Sequence, residues 1–407
     1  MKKSLVLMAM AGIALASCVN NEVVDVPQKE LKKITFSSPV MYNNVIGSRA
    51  EYHGEIGGHL YVDGGVIYSY PRKENFQIFA VEHANDFAGW ANATTAEFNN
   101  TLVSYDLNVD GWAPKKNGQY YFWDTTKKMS FAACSPADLQ QAQNWNGRKY
   151  DATGLTLTNF KVPEDASKQY DLLFSKRAVN MTKENMNHDA SYYSGVPIQF
   201  MHALSSIRFS ISNKSEYNVV LKKISLLGVK DVGTFSENLK ENTTDYSKYE
   251  IGTNVEPKWA IENDATPISN PYVAFEGEIT FPDEARYVSA LKDDSDNVNI
   301  LLLLPQKLTD SAMLVIEYTV NGTTNTKGVK LKDAVIVQKA VNGDETATTT
   351  KVEEWLLGTR YTYRLYYSAA AADKDKIYFA PETDEWTDAG VAVIDLMHAT
   401  DYTWNND

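Results

Sequence analysis

Ser206-Ile207-Arg208-Phe209-Ser210-Ile211 alternates polar and apolar side chains without a break. That period of two sends successive residues to opposite faces of an extended chain and marks a half-buried strand. The pattern recurs in Ile34-Thr35-Phe36-Ser37, Phe76-Gln77-Ile78-Phe79-Ala80-Val81, Met313-Leu314-Val315-Ile316-Glu317-Tyr318 and Tyr361-Thr362-Tyr363-Arg364-Leu365-Tyr366. Turn formers lie between the runs: Asp63-Gly64-Gly65, Lys116-Asn117-Gly118 and Asn321-Gly322. Three turns of amphipathic helix occur nowhere, and Glu353 to Leu357 is at most a short one. Many short strands without intervening helices predict an all-β chain built of β-sandwiches, not a doubly wound α/β sheet.

With 407 residues the chain is long enough for two or three domains. Ser191-Tyr192-Tyr193-Ser194-Gly195 is a plausible boundary: a polar run from Asn180 to Asp189 precedes it, and a long strand is expected from Val196 to Ile211. The expected division is a leader over 1–17, a tether and first strand over 18–49, an N-terminal sandwich over 50–195 and a C-terminal sandwich over 196–407. Hydrophobic residues make up 43% and charged residues 22%, enough apolar surface for a folded body. The net charge of -13 argues against nucleic acid, whose affinity comes largely from Lys and Arg releasing counterions.

Met1-Lys2-Lys3-Ser4, an apolar stretch from Leu5 to Ala16, then Ser17 and Cys18 have the anatomy of a secretory leader, too short for a spanning helix. Leu15-Ala16-Ser17-Cys18 resembles a bacterial lipobox, in which the cysteine is diacylated and becomes the first residue. The competing reading is an ordinary leader cut nearby, with Cys18 incidental. The second cysteine, Cys134, follows Phe131-Ala132-Ala133 and is expected as a buried thiol without an intramolecular disulfide.

Motifs for catalysis are missing: there is no zinc helix, nucleophile elbow or phosphate loop. Of the six histidines only His53 and His59 approach a metal-ligand spacing, and their glycine-rich stretch reads more simply as a turn. His202, in an apolar strand, is expected as a hydrogen-bonded structural histidine. Asp293-Asp294-Ser295-Asp296-Asn297 lacks the glycine and terminal glutamate of a calcium loop. The expectation is a chain that is not an enzyme and uses no cofactor or metal. Aromatics at 12% admit two readings, strand and core residues or exposed rings that stack on sugars.

Several separated segments together resemble the fimbrillin family, subunits of lipoprotein-derived type V pili. Tyr120-Tyr121-Phe122-Trp123 and Met129-Ser130-Phe131-Ala132-Ala133-Cys134-Ser135-Pro136 are similar to its tryptophan and following Phe-x-Ala strand. Tyr170-Asp171-Leu172-Leu173-Phe174 resembles its Asp-Leu-Leu strand, and Phe200-Met201-His202-Ala203-Leu204 its Phe-x-His-Ala-Leu strand. Ile300 to Gln306, Gly358 to Tyr363, Ile377-Tyr378-Phe379 and Trp386 follow in the family's order.

The resemblance implies two tandem transthyretin-like, Greek-key β-sandwich domains at the cell surface. It further implies a precursor anchored in the outer membrane through lipid on Cys18, a protease cut after an arginine, loss of the first strand, and entry of a strand from another fimbrillin subunit. Arg49, before Ala50 in the small-residue stretch Gly47-Ser48-Arg49-Ala50, is the candidate cut, against an ordinary surface arginine. The candidate donor is 391–397, with Val391 and Val393 on one face and Ile394 and Leu396 on the other; the alternative is that it closes the second sandwich. The rival function is an anchored lipoprotein that binds glycan through exposed aromatics. Stalk, tip and anchor roles stay open, as does any host or bacterial receptor.

Overall fold

The computed structural model describes residues 32–37, 40–41, 59–62, 65–68, 75–85, 98–109, 111–124, 126–137, 148–151, 154–175, 177–184, 195–237, 251–252, 257–261, 271–288, 300–338, 348–368, 387–395 and 400–401. Cys18, Arg49, Ala50, Leu396 and the Asp293–Asn297 cluster lie outside them. The regular elements among the described residues are strands, apart from 3-10 turns at Ala166–Lys168 and Leu331–Asp333. None of their helices is long and apolar enough to cross a membrane.

The first sheet runs in the order Val40–Met41, Gln199–His202, Leu173–Ser175, Lys128–Ser135, Phe76–His83, Phe98–Asp106, Gly111–Lys116, Gln119–Tyr120, with Arg177–Met181 also pairing on Lys128–Ser135. Its central strands bury both faces. Phe76, Ile78, Phe131 and Leu173 point into an aromatic core with Phe36, Phe98, Trp112, Trp123 and Phe200. Phe79, Cys134 and Phe174 point the other way. There a second sheet, Lys258–Ala260, Val232–Ser236, Gly154–Lys161, Arg148–Asp151, lies across them. Phe174 meets Phe235 at 5.1 Å between ring centroids, and Phe79 stacks on Tyr150 at 4.1 Å.

A buried ion pair ties the two sheets together. Arg177 Nη1 donates to Glu237 Oε1 at 3.2 Å, a second guanidinium nitrogen donates to Oε2, and the Leu155 amide donates to Oε2 at 2.6 Å. Nothing in the residue pattern of either strand marks Arg177 and Glu237 as partners 60 residues apart.

The rest of the chain forms two further sheets. One runs Arg286–Tyr287, Ser205–Asn213, Thr359–Tyr367, Thr387–Asp395, Val335–Gln338, Thr348–Lys351, with Ile300–Leu303 also on Ser205–Asn213. The other runs Tyr272–Thr280, Val219–Leu227, Met313–Val320, Thr323–Lys330, Thr400–Asp401. Their shared core continues without a gap into the layer under Phe79 and Phe174. A two-stranded ribbon, His59–Val62 with Gly65–Tyr68, stands apart in pairing. Two of the expected turns are found as hairpins: Asn117-Gly118 and Asn321-Gly322 both have positive φ at each residue, which matches the twist of the flanking strands.

One expectation needs correction. The strand expected from Val196 to Ile211 is two strands in different sheets, Gln199–His202 in the first and Ser205–Asn213 in the third. The chain crosses between them at Ala203-Leu204, so residues after the expected boundary still pair in the first sheet. His202 Nδ1 lies 2.9 Å from Asp171 Oδ1 with both side chains buried, and Ala203 N donates to Leu172 O at 2.8 Å, which pins the crossing. Glu353 to Leu357, in sequence at most a short helix, forms none, and Glu354 bridges Lys307. Leu308 N donates to Glu353 O at 2.8 Å and Trp355 N to Gln306 O at 2.9 Å. Burial of the Trp355 indole explains the choice: its Nε1 donates to Tyr363 OH at 3.1 Å inside the core.

Ile207, Phe209 and Ile211 face the large core, while Ser206, Ser210 and Ser212 are also buried on the opposite face. The strand is therefore covered on both sides, and its pairing with Arg360–Tyr367 runs in unbroken register. Phe209 stacks on Tyr363 at 6.0 Å. Phe209→Ala is expected to cost about 3–5 kcal/mol, the range for removing a buried phenyl ring. Urea unfolding of the two proteins side by side measures it.

Candidate functional site: the groove of the first segment

Residues 32–37 bridge parts of the first sheet that do not otherwise meet. Their alternation is that of a strand, yet they form isolated bridges instead of a ladder: Lys33 with Phe122, and Phe36 with both Trp112 and Val196. The reason lies in the hydrogen bonds, which leave the segment on both sides. Towards one wall, Trp123 N donates to Lys32 O at 3.0 Å, Ile34 N to Tyr121 O at 2.8 Å and Phe36 N to Trp112 O at 2.8 Å. Towards the other, Val196 N donates to Thr35 O at 2.8 Å and Ser37 N to Val196 O at 3.0 Å. Farther on, Val40 and Met41 pair in parallel with Gln199 and Phe200.

The side chains fill what the backbone spans. Ile34 and Phe36 are 2% and 1% exposed. The Phe36 ring stands edge-on to Phe76 at 5.9 Å and to Phe131 at 5.5 Å, the geometry that aromatic quadrupoles favour. Burying two such side chains contributes roughly 1.5–3 kcal/mol each. The segment is thus a wall of the aromatic core.

Charge fastens the outer rim. The Lys33 ammonium lies 4.2 Å from the Tyr120 ring centroid, and Lys115 lies 4.7 Å from it. Lys115 also pairs with Asp106, and Tyr120 OH donates to Asp106 Oδ2 at 2.6 Å. The Lys115 ammonium, then the Tyr120 hydroxyl and the Asn108 amide, hold the Asp106 carboxyl well below its ordinary 3.8. A depressed carboxyl contributes stability above the unfolded value and loses it as pH falls through the folded one.

The other expected site residues fall as follows. Val391, Val393 and Ile394 lie on the strand Thr387–Asp395, which pairs in parallel with Thr359–Tyr367 and antiparallel with Val335–Gln338. This candidate donor is thus an interior strand of the chain's own third sheet. Met397, like Leu396, lies outside the described residues. Among the described residues no group of three or more His, Cys, Asp or Glu is placed to hold a metal ion. Trp112, Trp123 and Trp355 are fully buried, and Trp259 donates its Nε1 proton to Ala203 O at 2.6 Å. These tryptophans serve the cores.

Two outcomes are expected. Ile34→Asp would place an unpaired carboxylate against the aromatic core; limited trypsin digestion should then cut at Lys32 and Lys33 far sooner than in the unaltered protein, while the C-terminal sheets resist. For the rim, the stability difference between the protein and Asp106→Asn should be present above pH 3.8 and close as pH falls further, as read by urea unfolding across a pH series.

The sequence profile of the fimbrillin-like family matches residues 71–386. Solved structures similar to this chain include a candidate cell adhesion protein of Bacteroides uniformis, at 13% identity over 84% of this chain and 94% of that one, with a TM-score of 0.39. A candidate cell adhesion protein of Bacteroides ovatus is 15% identical over 80% and 99%, with a TM-score of 0.36. A fimbrial protein of Bacteroides ovatus is 11% identical over 90% of this chain and 50% of that one, with a TM-score of 0.28. No protein of curated function matches. The matched span covers the strands of all four large sheets except Val40–Met41, Thr387–Asp395 and Thr400–Asp401, and the chain belongs to the fimbrillin-like family.

Proposed function

We propose that this protein is a structural subunit of a cell-surface type V pilus, serving adhesion and carrying out no catalysis. One observation carries the reading beyond family membership: residues 32–37 form a wall of a core while standing outside the regular ladder. Removing such a segment leaves unpaired backbone groups at Trp112, Tyr121 and Val196 beside an aromatic pocket, which is the surface that strand addition fills.

In this reading the precursor is exported and lipidated at Cys18, which holds it in the outer membrane. A protease cuts between Arg49 and Ala50, and the segment departs with the lipid. A strand of another fimbrillin subunit then enters, for which 391–397 is the proposed donor, with Ile394 and Leu396 as the side chains that fill the pocket. Because Thr387–Asp395 is paired on both sides within its own sheet, donation requires its release first. In this reading the chain divides into two sandwiches near residue 195, with the second sheet, which pairs Gly154–Lys161 with Val232–Ser236, shared between them. The rival reading, a glycan-binding lipoprotein, draws no support from the described tryptophans.

The test compares purified precursor with Arg49→Ala and Ile394→Asp after protease treatment. Loss of ladders in both variants on a non-denaturing gel is expected, and ladders equal to those of the unaltered protein would overturn the exchange. In cells, Cys18→Ala is expected to abolish fatty-acid labelling and leader removal.

A further inference from the structure

Gly195 touches the first segment more closely than any side chain could. Its φ is +125°, a conformation that residues with a Cβ rarely adopt. A Cβ placed on it would lie 2.7 Å from Phe36 C, 2.7 Å from Thr35 O and 2.8 Å from Ser37 N. All three are main-chain atoms of the seated segment, so no rotamer change relieves the contact. The opposite wall is different: a Cβ at Gly111 would meet Phe36 O at 3.7 Å, an ordinary contact. The two walls also set direction, since Phe36 pairs in parallel with Val196 and antiparallel with Trp112.

We propose that Gly195 is the positioning residue of this groove: because it carries no Cβ, the main chain of the seated strand can lie against it. The groove accepts an extended peptide that runs parallel to Val196, lays its main chain directly against Gly195, and carries two large apolar side chains two residues apart. Ile34-Thr35-Phe36 is the resident example. A side chain at position 195 removes the seat while leaving the aromatic pocket intact. The proposal concerns how the precursor holds its own segment; its consequence for assembly, that an entering strand of a second copy must pass the same gauge, rests on the exchange reading above.

Hydrogen exchange followed by mass spectrometry on the full chain tests it, comparing the unaltered protein with Gly195→Ala and Gly111→Ala. Gly195→Ala is expected to speed exchange in peptides covering residues 32–37 and 196–200 by about tenfold or more, with residues 313–330 unchanged. Gly111→Ala should match the unaltered protein. Unchanged protection of 32–37 in Gly195→Ala would overturn the proposal. So would loss of protection throughout the chain, which would mean general strain, and so would an equal effect from Gly111→Ala. None of these readouts involves cutting at Arg49 or polymer formation, so the exchange reading stands or falls separately on its gel assay.

Discussion

The Phe36 ring held edge-on between Phe76 and Phe131 is the contact on which the N-terminal half depends. Phe76 and Phe131 lie on adjacent central strands, and their rings face away from the second sheet. A sheet buried on one face only would need no such cover. This sheet is buried on both, so its second face requires a layer, and the chain supplies that layer from residues 32–37 together with Trp112, Trp123 and Val196. Six residues cannot bond as a strand to walls that diverge. They bond in turn to one and the other, which gives a seated segment without a regular ladder.

The opposite face explains why the remainder behaves as one packed body. Phe79, Cys134 and Phe174 belong to the same apolar cluster as Leu221, Ile316 and Tyr363. The crossing from Gln199–His202 to Ser205–Asn213 occurs where those layers meet, and its geometry is fixed by buried polar contacts. His202 reaches Asp171, Ser205 Oγ donates to Leu356 O at 2.8 Å, and Gly358 N donates to Leu204 O at 2.9 Å. A buried polar group without such partners would cost far more than the bonds contribute.

The strands were legible in the sequence because polar and apolar residues alternate along them, and Phe76–His83, Met313–Val320 and Thr359–Tyr367 fall where that alternation places them. The break at Ala203-Leu204 was not. His202-Ala203-Leu204-Ser205 keeps an apolar character through the crossing, since both flanking strands are buried on two sides and alternation carries no information there. At Glu353 to Leu357, where the pattern allowed at most a short helix, a distant pairing with residues 306–308 decides the conformation. Of the groove, Ile34 and Phe36 were visible as apolar alternation. Gly195 was visible only as the end of a candidate domain boundary, because its role depends on a backbone about 160 residues away in the chain, a proximity that no local pattern encodes.

In the proposed exchange, the leaving and entering strands would make nearly the same backbone bonds and fill the same pocket, so the contacts alone favour neither. What separates them is connectivity. A tethered segment competes at an effective concentration in the millimolar range for a short flexible linker, which a second subunit in solution does not match. Cutting the tether removes that advantage without altering any contact. The pairing of Thr387–Asp395 with two neighbours in its own sheet works in the same direction from the other end, because a donor that must first leave its ladder is a weaker competitor. In that exchange both features would hold the precursor as a closed monomer until covalent change at the first segment altered the balance. The seat at Gly195 would then hold the main chain of whichever strand took the vacated place.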